Sequence, residues 1–445
     1  MPLKNNLRQN MKDCDKFSQF IKLFQERLEK LPDKRKGKNK QYEMRDAGLS
    51  AFGVFFTQSP SFLAYQRTME QKKGRSNAQT LFGVHKIPSD NQIRDLLDEV
   101  PPSYINPVFE ESLDLIEKSG KLDKFRAFEQ NLLIAMDGVE YFNSNTIHCQ
   151  HCSSRKLKNG KTNYFHSCVT PVIVSHQSSL VIPLPPEFVV PQDGHEKQDC
   201  ENAAAKRWIR TYGQRYSRLL ITLLGDDLYC HQPICEELLQ QNLNFILTCR
   251  PESHKTLYEH LEGIDLPTVI TRRWNGKFEE TSTYRYLNQV PLRDGNDALL
   301  VNWFEIVVTR SDGKVLYKNA FATNHFITDD NVAALALAGR TRWKVENENN
   351  NTLKTKGYNL EHNFGHGKKY LSSLLPSLNI LAFLFHTLLE LFDDKYQLLR
   401  QHLPSRKTFF DDLRALTRYI DFDSWEHLLS FMLNGLELHS THNSS

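Results

Sequence analysis

Three acidic residues stand where chemistry is easier to explain than packing. Asp137 closes the apolar run Leu132–Met136, Asp226 follows the run Leu219–Leu224 and Gly225, and Glu346 sits among basic and amide side chains in a stretch with helical texture. An acid at the end of a buried strand suits a core badly and a ligand well, because open α/β sheets bind ligands just beyond the carboxyl ends of their strands. Three convergent carboxylates suit a hard divalent cation, Mg²⁺ (or Mn²⁺), which takes oxygen ligands. Two such ions about 4 Å apart can clamp the attacking and leaving oxygens of a phosphoryl transfer. Taken singly, each aspartate reads as the start of a turn; the trio together points to a metal site. Arg342 lies one helical turn before Glu346 and on its face of the expected helix. Of the neighbours Asp226 and Asp227, Asp226 is the first polar group after the buried run and is the one expected at the site.

A second constellation begins at Cys149-x2-Cys152, beside His148 and His151. His166 and Cys168 follow on what reads as a returning strand, after basic residues Arg155 to Lys161 and a turn at Asn159-Gly160. Zinc usually takes four Cys or His ligands, so Cys149, Cys152, His166 and Cys168 form a candidate Zn²⁺ set. The competing reading is reduced, packed cysteines, and Cys230 and Cys235 are assigned no role.

These residues need a scaffold. The chain has 445 residues, enough for two to three domains, with 40% hydrophobic and 24% charged residues. That composition excludes a wholly disordered chain. The net charge of +3 excludes a globally basic protein, so any nucleic-acid site must be a local patch. Eight cysteines are too few for a disulfide scaffold. The start Met1-Pro-Leu-Lys-Asn-Asn has no apolar signal core, which sets the expectation of a cytoplasmic protein. The most apolar stretch, Leu371 to Phe392, is interrupted by Pro376, Asn379, His386 and Glu390 and reads as a buried helix rather than a membrane span.

Residues 1–128 read as helical and basic, a DNA-binding region, with a helix at Phe17 to Leu31 and a capping box at Ser89 to Gln92. Basic clusters lie between Lys30 and Lys40 and at Arg67, Lys72, Lys73 and Arg75. Residues 129–250 read as a first part of a mixed α/β core. Its strands are expected at Asn131–Met136, Asn163–Ser175, Ser179–Val190, Arg218–Gly225 and Asn244–Cys249, with helices at Asn202–Arg215 and Pro233–Gln241. Residues 251–328 read as a β-rich insertion with a hairpin at Ser311 to Lys314. Residues 329–400 return to the core through a helix over Asp329 to Lys356 that Gly357 stops, and 401–445 form a helical tail.

Several stretches together resemble bacterial insertion-sequence transposases of the DDE class. They are Leu133-Ile-Ala-Met-Asp137-Gly138 with Glu140-Tyr-Phe, Gly225-Asp226-Asp227-Leu-Tyr229, and Arg342-Trp-Lys-Val-Glu346-Asn with Tyr358-Asn-Leu-Glu-His362. Lys197-Gln-Asp-Cys200, Ala205-Lys-Arg-Trp208, Ser59-Pro60 and Gln66-Arg67 add to the likeness, which runs from about residue 40 to 390. The resemblance implies an RNase H-like mixed sheet flanked by helices, with a β insertion before the third acid. It implies Mg²⁺-dependent DNA end cleavage and strand transfer by Asp137, Asp226 and Glu346, with Arg342 beside them. The implied partners are element ends and target DNA, handled by a homodimer or higher oligomer at the nucleoid, with no membrane. A family signature Y-x2-R-x3-E-x6-K is met at Arg342 and Glu346; its Tyr slot holds Gly339 and its Lys slot Leu353, with Lys354 next. The family's second acid stands three residues before an aromatic, as Asp226 stands before Tyr229. Two other functions fit the same residues: a catalytically inactive DNA-binding derivative, and an RNase H-like nuclease without strand transfer.

Overall fold

The computed structural model describes residues 16–36, 40–69, 76–191 and 200–438. Lys38 of the first basic run, Lys72, Lys73 and Arg75 of the second, Lys197 to Asp199 and the tail from Thr441 lie outside the described residues. In chain order the helices α1 to α6 are Lys16–Leu28, Met44–Phe56, Phe62–Met69, Asn77–Phe82, Asp90–Leu97 and Asn106–Lys118. Strands β1 to β7 follow: Leu132–Ala135, Gly138–Ser144, Ser153–Lys156, Thr162–Val169, Val172–Ser175, Ser178–Pro183 and Glu187–Phe188. Then come α7 (Glu201–Ser217), β8 (Ile221–Gly225), α8 (Gln232–Gln240), β9 (Asn244–Thr248) and α9 (Lys255–Leu261). The strands β10 to β13 are Thr268–Trp274, Glu279–Pro291, Leu300–Arg310 and Val315–Thr323. The chain ends in α10 (Val332–Arg340), a π turn (Val345–Asn350), α11 (Asn351–Thr355), α12 (Leu371–Phe392), α13 (Asp394–His402), α14 (Arg406–Tyr419) and α15 (Trp425–Gly435).

The protein is mixed α/β and forms two compact units, each built from separated stretches of chain. One comprises residues 1–121, 140–166 and 351–445; the other comprises 122–139 and 167–350.

The first unit is mainly helical. Its core is set by α2, whose run Ala47 to Phe56 is buried on every face, and by α12, buried along nearly all of its 22 residues. A helix that is apolar all round must be enclosed by protein, and the rings of Phe24, Phe52 and Phe385 meet at 4.8 to 6.0 Å to enclose these two. α12 is long and apolar enough to cross a membrane by length and composition, but it is buried within this unit. The capping box at Ser89 starts α5, with the Ser89 side chain on the Gln92 amide and Gln92 reaching back. The hairpin β3–β4 pairs Ser153–Lys156 with Thr162–Phe165, and Gly160 turns it with φ +80°.

The second unit is organised by a nine-stranded sheet in the order β10-β11-β12-β13-β9-β8-β1-β5-β6. At its centre β1, β8 and β9 run parallel, while β5 pairs antiparallel with β1 and β6 with β5. The β insertion continues the same sheet, because β13 pairs antiparallel with β9. The apolar runs that read as strands are those that the sheet buries: β1, β5 and β8 are enclosed throughout.

Three local readings are corrected. The stretch Asn163–Ser175 is two strands, β4 and β5, broken at Thr170-Pro171, since proline has no amide for a ladder. Ser179–Val190 likewise divides into β6 and β7 around Pro183, Pro185 and Pro186. The helix expected over Asp329 to Lys356 is interrupted by a turn after Arg340 and continues through a π turn from Val345, so Arg342 and Glu346 are not successive points on one α-helical face.

Candidate functional site

The register of the central strands brings the two aspartates together. Ala135 of β1 lies opposite Leu224 of β8, and the Met136 amide donates to the Leu224 carbonyl at 2.9 Å. Asp137 and Asp226 each come two residues beyond that pair. Parallel neighbours in register present the same parity to the same side, and adjacent strands lie about 4.8 Å apart. The pleat thus favours Asp226 over Asp227 as the partner of Asp137.

Glu346 arrives by another route. α10 lies directly on the sheet at Gly339, where a Cβ would meet the Phe321 ring at 2.8 Å and Ile246 at 3.0 Å. No tyrosine fits in that slot. The π turn ends at Asn350, whose Oδ1 accepts from Thr170 Oγ1 at 2.8 Å, and the Thr170 amide donates to the Asp137 carbonyl at 2.9 Å. That chain of bonds ties the element carrying Glu346 to the strand end carrying Asp137. π turns inside helices are frequent at functional sites.

The electrostatics of Asp137 report its neighbours. Burial pushes its carboxyl up to about 6; the Arg342 guanidinium draws it down, and the charges of Glu201, Asp226 and Glu346 push it up again. Asp226 accepts the Leu228 amide at 2.9 Å, which fixes the turn after β8. Glu346 is exposed and Asp137 and Asp226 are half-buried, so the acids stand at a surface a substrate can reach.

Glu201 was not anticipated. It occupies the first turn of α7, where the helix dipole favours an anion. Its Oε1 accepts from the Tyr229 hydroxyl at 2.6 Å, and the Gly138 amide also bonds to it. A Cβ on Gly138 would meet Glu201 Oε2 at 2.1 Å, so only glycine lets the carboxylate approach this closely. Burial raises the Glu201 carboxyl and the nearby charge of Asp226 adds to the rise, while the Tyr229 and Gly138 bonds oppose both. The sequence signal for it was its place directly after Lys197-Gln-Asp-Cys200 at a helix start.

The remaining residues of the expected set have other tasks. Asp227 accepts the Arg250 amide at 2.8 Å and the Ser253 hydroxyl at 2.5 Å, holding the loop after β9. Lys354 pairs with Glu361 at 2.7 Å, and the signature lysine slot holds the fully buried Leu353. Cys230, Cys249 and His254 also place ligand atoms within 4.8 Å of one another. The Cys230 thiol is raised by its bond to Cys249 and by burial.

In the first unit, four potential metal ligands converge: Cys149, Cys152, His166 and His366, all within 4.8 Å of one another. This cluster can hold a metal ion. It corrects the expected set in one member. Cys168, fully buried two residues past His166 on β4, is not among the converging ligands. His366 takes the fourth place from the loop before α12. The sequence marks it only as a histidine between two glycines, Gly365 and Gly367, and no local spacing links residues so far apart. The Cys152 thiol, burial notwithstanding, and the His166 and His366 rings pull the Cys149 thiol well down.

The same unit contains a cleft of about 750 Å³ lined by Ser59, Pro60, Arg67, Lys407, Arg414 and Arg418. Lys407 and Arg414 both pair with Asp411, and elsewhere in the unit Lys34 pairs with Glu99, and Arg35 and Lys40 with Asp33 at 2.9 and 2.8 Å. No protein-family model matches the chain, and a search of curated proteins also finds no match.

Proposed function

We propose that the second unit is the catalytic core of a DDE transposase, which cleaves DNA at element ends and transfers the freed ends to target DNA. The observation that carries this reading is the charge environment of Asp137, half-buried at the end of β1 and under the fields of Asp226, Glu201 and Glu346 with Arg342 opposing them. Four carboxylates against one guanidinium leave a site that accepts a cation. The strand order β6-β5-β1-β8-β9, with only the second strand antiparallel to the parallel three and the first antiparallel to it, is the order of an RNase H-like sheet, which supports the same reading.

The donor set is all oxygen and fits Mg²⁺ or Mn²⁺, with Asp137, Asp226 and Glu346 as the residues that would hold it. When bound, the metal supplies charge neutralisation at the scissile phosphate and lowers the cost of forming an oxygen nucleophile. Arg342 offsets the excess negative charge around Asp137 and would meet a phosphate oxygen. Glu201 and Tyr229 hold the loop after β8 and so the orientation of Asp226. Cleavage forms a bond from water oxygen to phosphorus and releases the 3′ oxygen of the element end as its hydroxyl. Strand transfer repeats the displacement, with that hydroxyl attacking a target phosphodiester and a target 3′ oxygen leaving. Two ends must be joined, so the reaction calls for at least two copies of the chain. The basic cleft of Arg67, Lys407, Arg414 and Arg418 supplies phosphate contacts in the first unit.

The test is incubation of the purified chain with Mg²⁺ and a supercoiled plasmid carrying its flanking genomic DNA. Nicked or linear products joined to new DNA support transposition; cleavage without joining would make it a nuclease, and binding without cleavage a DNA-binding derivative.

A further inference from the structure

We propose that Cys149, Cys152, His166 and His366 hold one structural zinc ion that clamps the loop before α12 onto the β3–β4 hairpin, within the first unit. This inference is independent of the catalytic reading of the second unit.

The distances among the four ligands are those of an ion's coordination shell. Cys149 Sγ and Cys152 Sγ are 3.9 Å apart. Cys149 Sγ lies 3.6 Å from His166 Nε2, and Cys152 Sγ lies 3.3 Å from His166 Nε2 and 3.4 Å from His366 Nε2. A tetrahedron with zinc bonds of about 2.3 Å to sulfur and about 2.05 Å to nitrogen has edges of about 3.8 Å between sulfurs and about 3.5 Å from sulfur to nitrogen. A disulfide is a different geometry, with sulfurs about 2.05 Å apart, and both cysteines are free.

The surroundings suit thiolates. The His151 amide points to Cys149 Sγ and the Cys149 amide to Cys152 Sγ, each at 3.4 Å. Backbone donors aimed at both sulfurs stabilise their charged forms, which are the forms that bind metal. The rings are fixed by packing: His166 stacks on Tyr141 with centroids 5.9 Å apart, and His366 lies 4.5 Å from Phe142. The adjacent histidines are turned elsewhere, with His148 stacked on Tyr164 and His151 bonded to Gln150. Two sulfurs and two imidazoles in a closed four-coordinate set select zinc over hard cations, and the lack of an open position makes the site structural.

The ion completes a loop that is already held on its other side. Asp98, at the end of α5, accepts the amides of Lys368, Lys369 and Leu371 at 2.9 to 3.0 Å. Gly367 has φ +67°, and a Cβ there would meet Asp98 at 2.3 Å. Asp98 therefore anchors the start of α12, and zinc anchors the residues just before it.

The full chain, purified without chelator, should contain one equivalent of zinc by elemental analysis. Cobalt exchanged into it should give the visible bands of a tetrahedral site with two sulfur ligands. Cys149→Ser and Cys152→Ser should each lower zinc affinity at least 100-fold, His366→Ala at least 10-fold, and Cys168→Ser should keep the full equivalent. His366→Cys should retain zinc and intensify the sulfur-to-cobalt band, which keeps the assignment open to test if the alanine variant fails to fold. A zinc-free folded chain that does not take up added zinc would overturn the proposal. So would loss of metal in Cys168→Ser with full retention in His366→Ala.

Discussion

The Tyr229 hydroxyl donates a 2.6 Å hydrogen bond to Glu201 Oε1. This bond links the turn that follows Asp226 to the first turn of α7, and it makes Glu201 a fourth acid of the candidate site. Groups that orient a metal ligand typically contribute 10- to 100-fold in activity or metal affinity. Tyr229→Phe should therefore lower metal-dependent cleavage by about that factor, and Glu201→Gln by at least as much. Cleavage at the wild-type rate in Glu201→Gln would remove Glu201 from the site.

Gly138 offers a gentler probe of the same carboxylate. The atom that an added methyl would strike is the end of a flexible side chain, so the fold should survive. Gly138→Ala is expected to melt within a few degrees of wild type yet to cleave at least about 10-fold more slowly, by the same orienting argument. Unaltered cleavage kinetics would mean that the position of Glu201 does not matter to the reaction.

Asp137→Ala, Asp226→Ala and Glu346→Gln should each abolish cleavage and leave DNA binding intact, because affinity comes mainly from phosphate contacts. Asp227→Asn is the control. Its loss of a charged acceptor for Arg250 and Ser253 should cost stability, on the order of 1–3 kcal/mol, and not chemistry. Gel shifts and plasmid cleavage run side by side read both effects.

For DNA docking, the cleft of Arg67, Lys407 and Arg418 is the first surface to test. Each lost phosphate contact should flatten the log–log salt dependence of binding by about 0.9. Neutralising Lys34 or Lys40, which do not line the cleft, should change it less. Equal slopes for the cleft variants and wild type would place the DNA elsewhere.

Acid should loosen the first unit. His386 is fully buried, donating from Nε2 to the Phe56 carbonyl at 2.9 Å, with its Nδ1 2.5 Å from the Tyr358 hydroxyl. Burial, with Arg406 and Arg400 adding to it, holds its pKa well below the usual imidazole value. In the unfolded chain a histidine titrates near about 6.5. Below that pH the unfolded state binds a proton that the native state refuses. The contribution is thus complete above about 6.5 and falls by up to about 1.4 kcal/mol per pH unit as the pH drops toward the folded value. Urea midpoints between pH 7.5 and 5.5 should fall more steeply for wild type than for His386→Gln.

The legible parts of this protein were those written in local pattern. The runs around Leu133, Leu223 and Ile246 announced buried strands, Ser89 to Gln92 announced a helix start, and Leu371 to Phe392 announced a core helix; each is present. Strand breaks at Pro171 and Pro183 were readable but were overridden by β-branched neighbours. What local pattern could not reveal was pairing between distant stretches. His366 joins Cys149 only through tertiary packing, and Glu201 meets Tyr229 only because α7 begins beside the end of β8. The π turn at Val345 is likewise set by its contacts, with Asn350 drawn to Thr170, and not by any helix-breaking residue in Val345 to Asn350.

The first unit takes its N-terminal helices and α12 from opposite ends of the chain, and that order matters during synthesis. Phe24 and Phe52 are made more than three hundred residues before Phe385, the ring that encloses them. At roughly 5–20 residues per second the ribosome needs roughly 15 to 70 s to deliver it. For that time α2, apolar through most of Ala47 to Phe56, is without its partner, a natural client for holding chaperones. A message cut anywhere before Leu371 yields a first unit that lacks the helix enclosing its core. Such a fragment is expected to be cleared by proteases and not to persist as a folded competitor of the full-length chain.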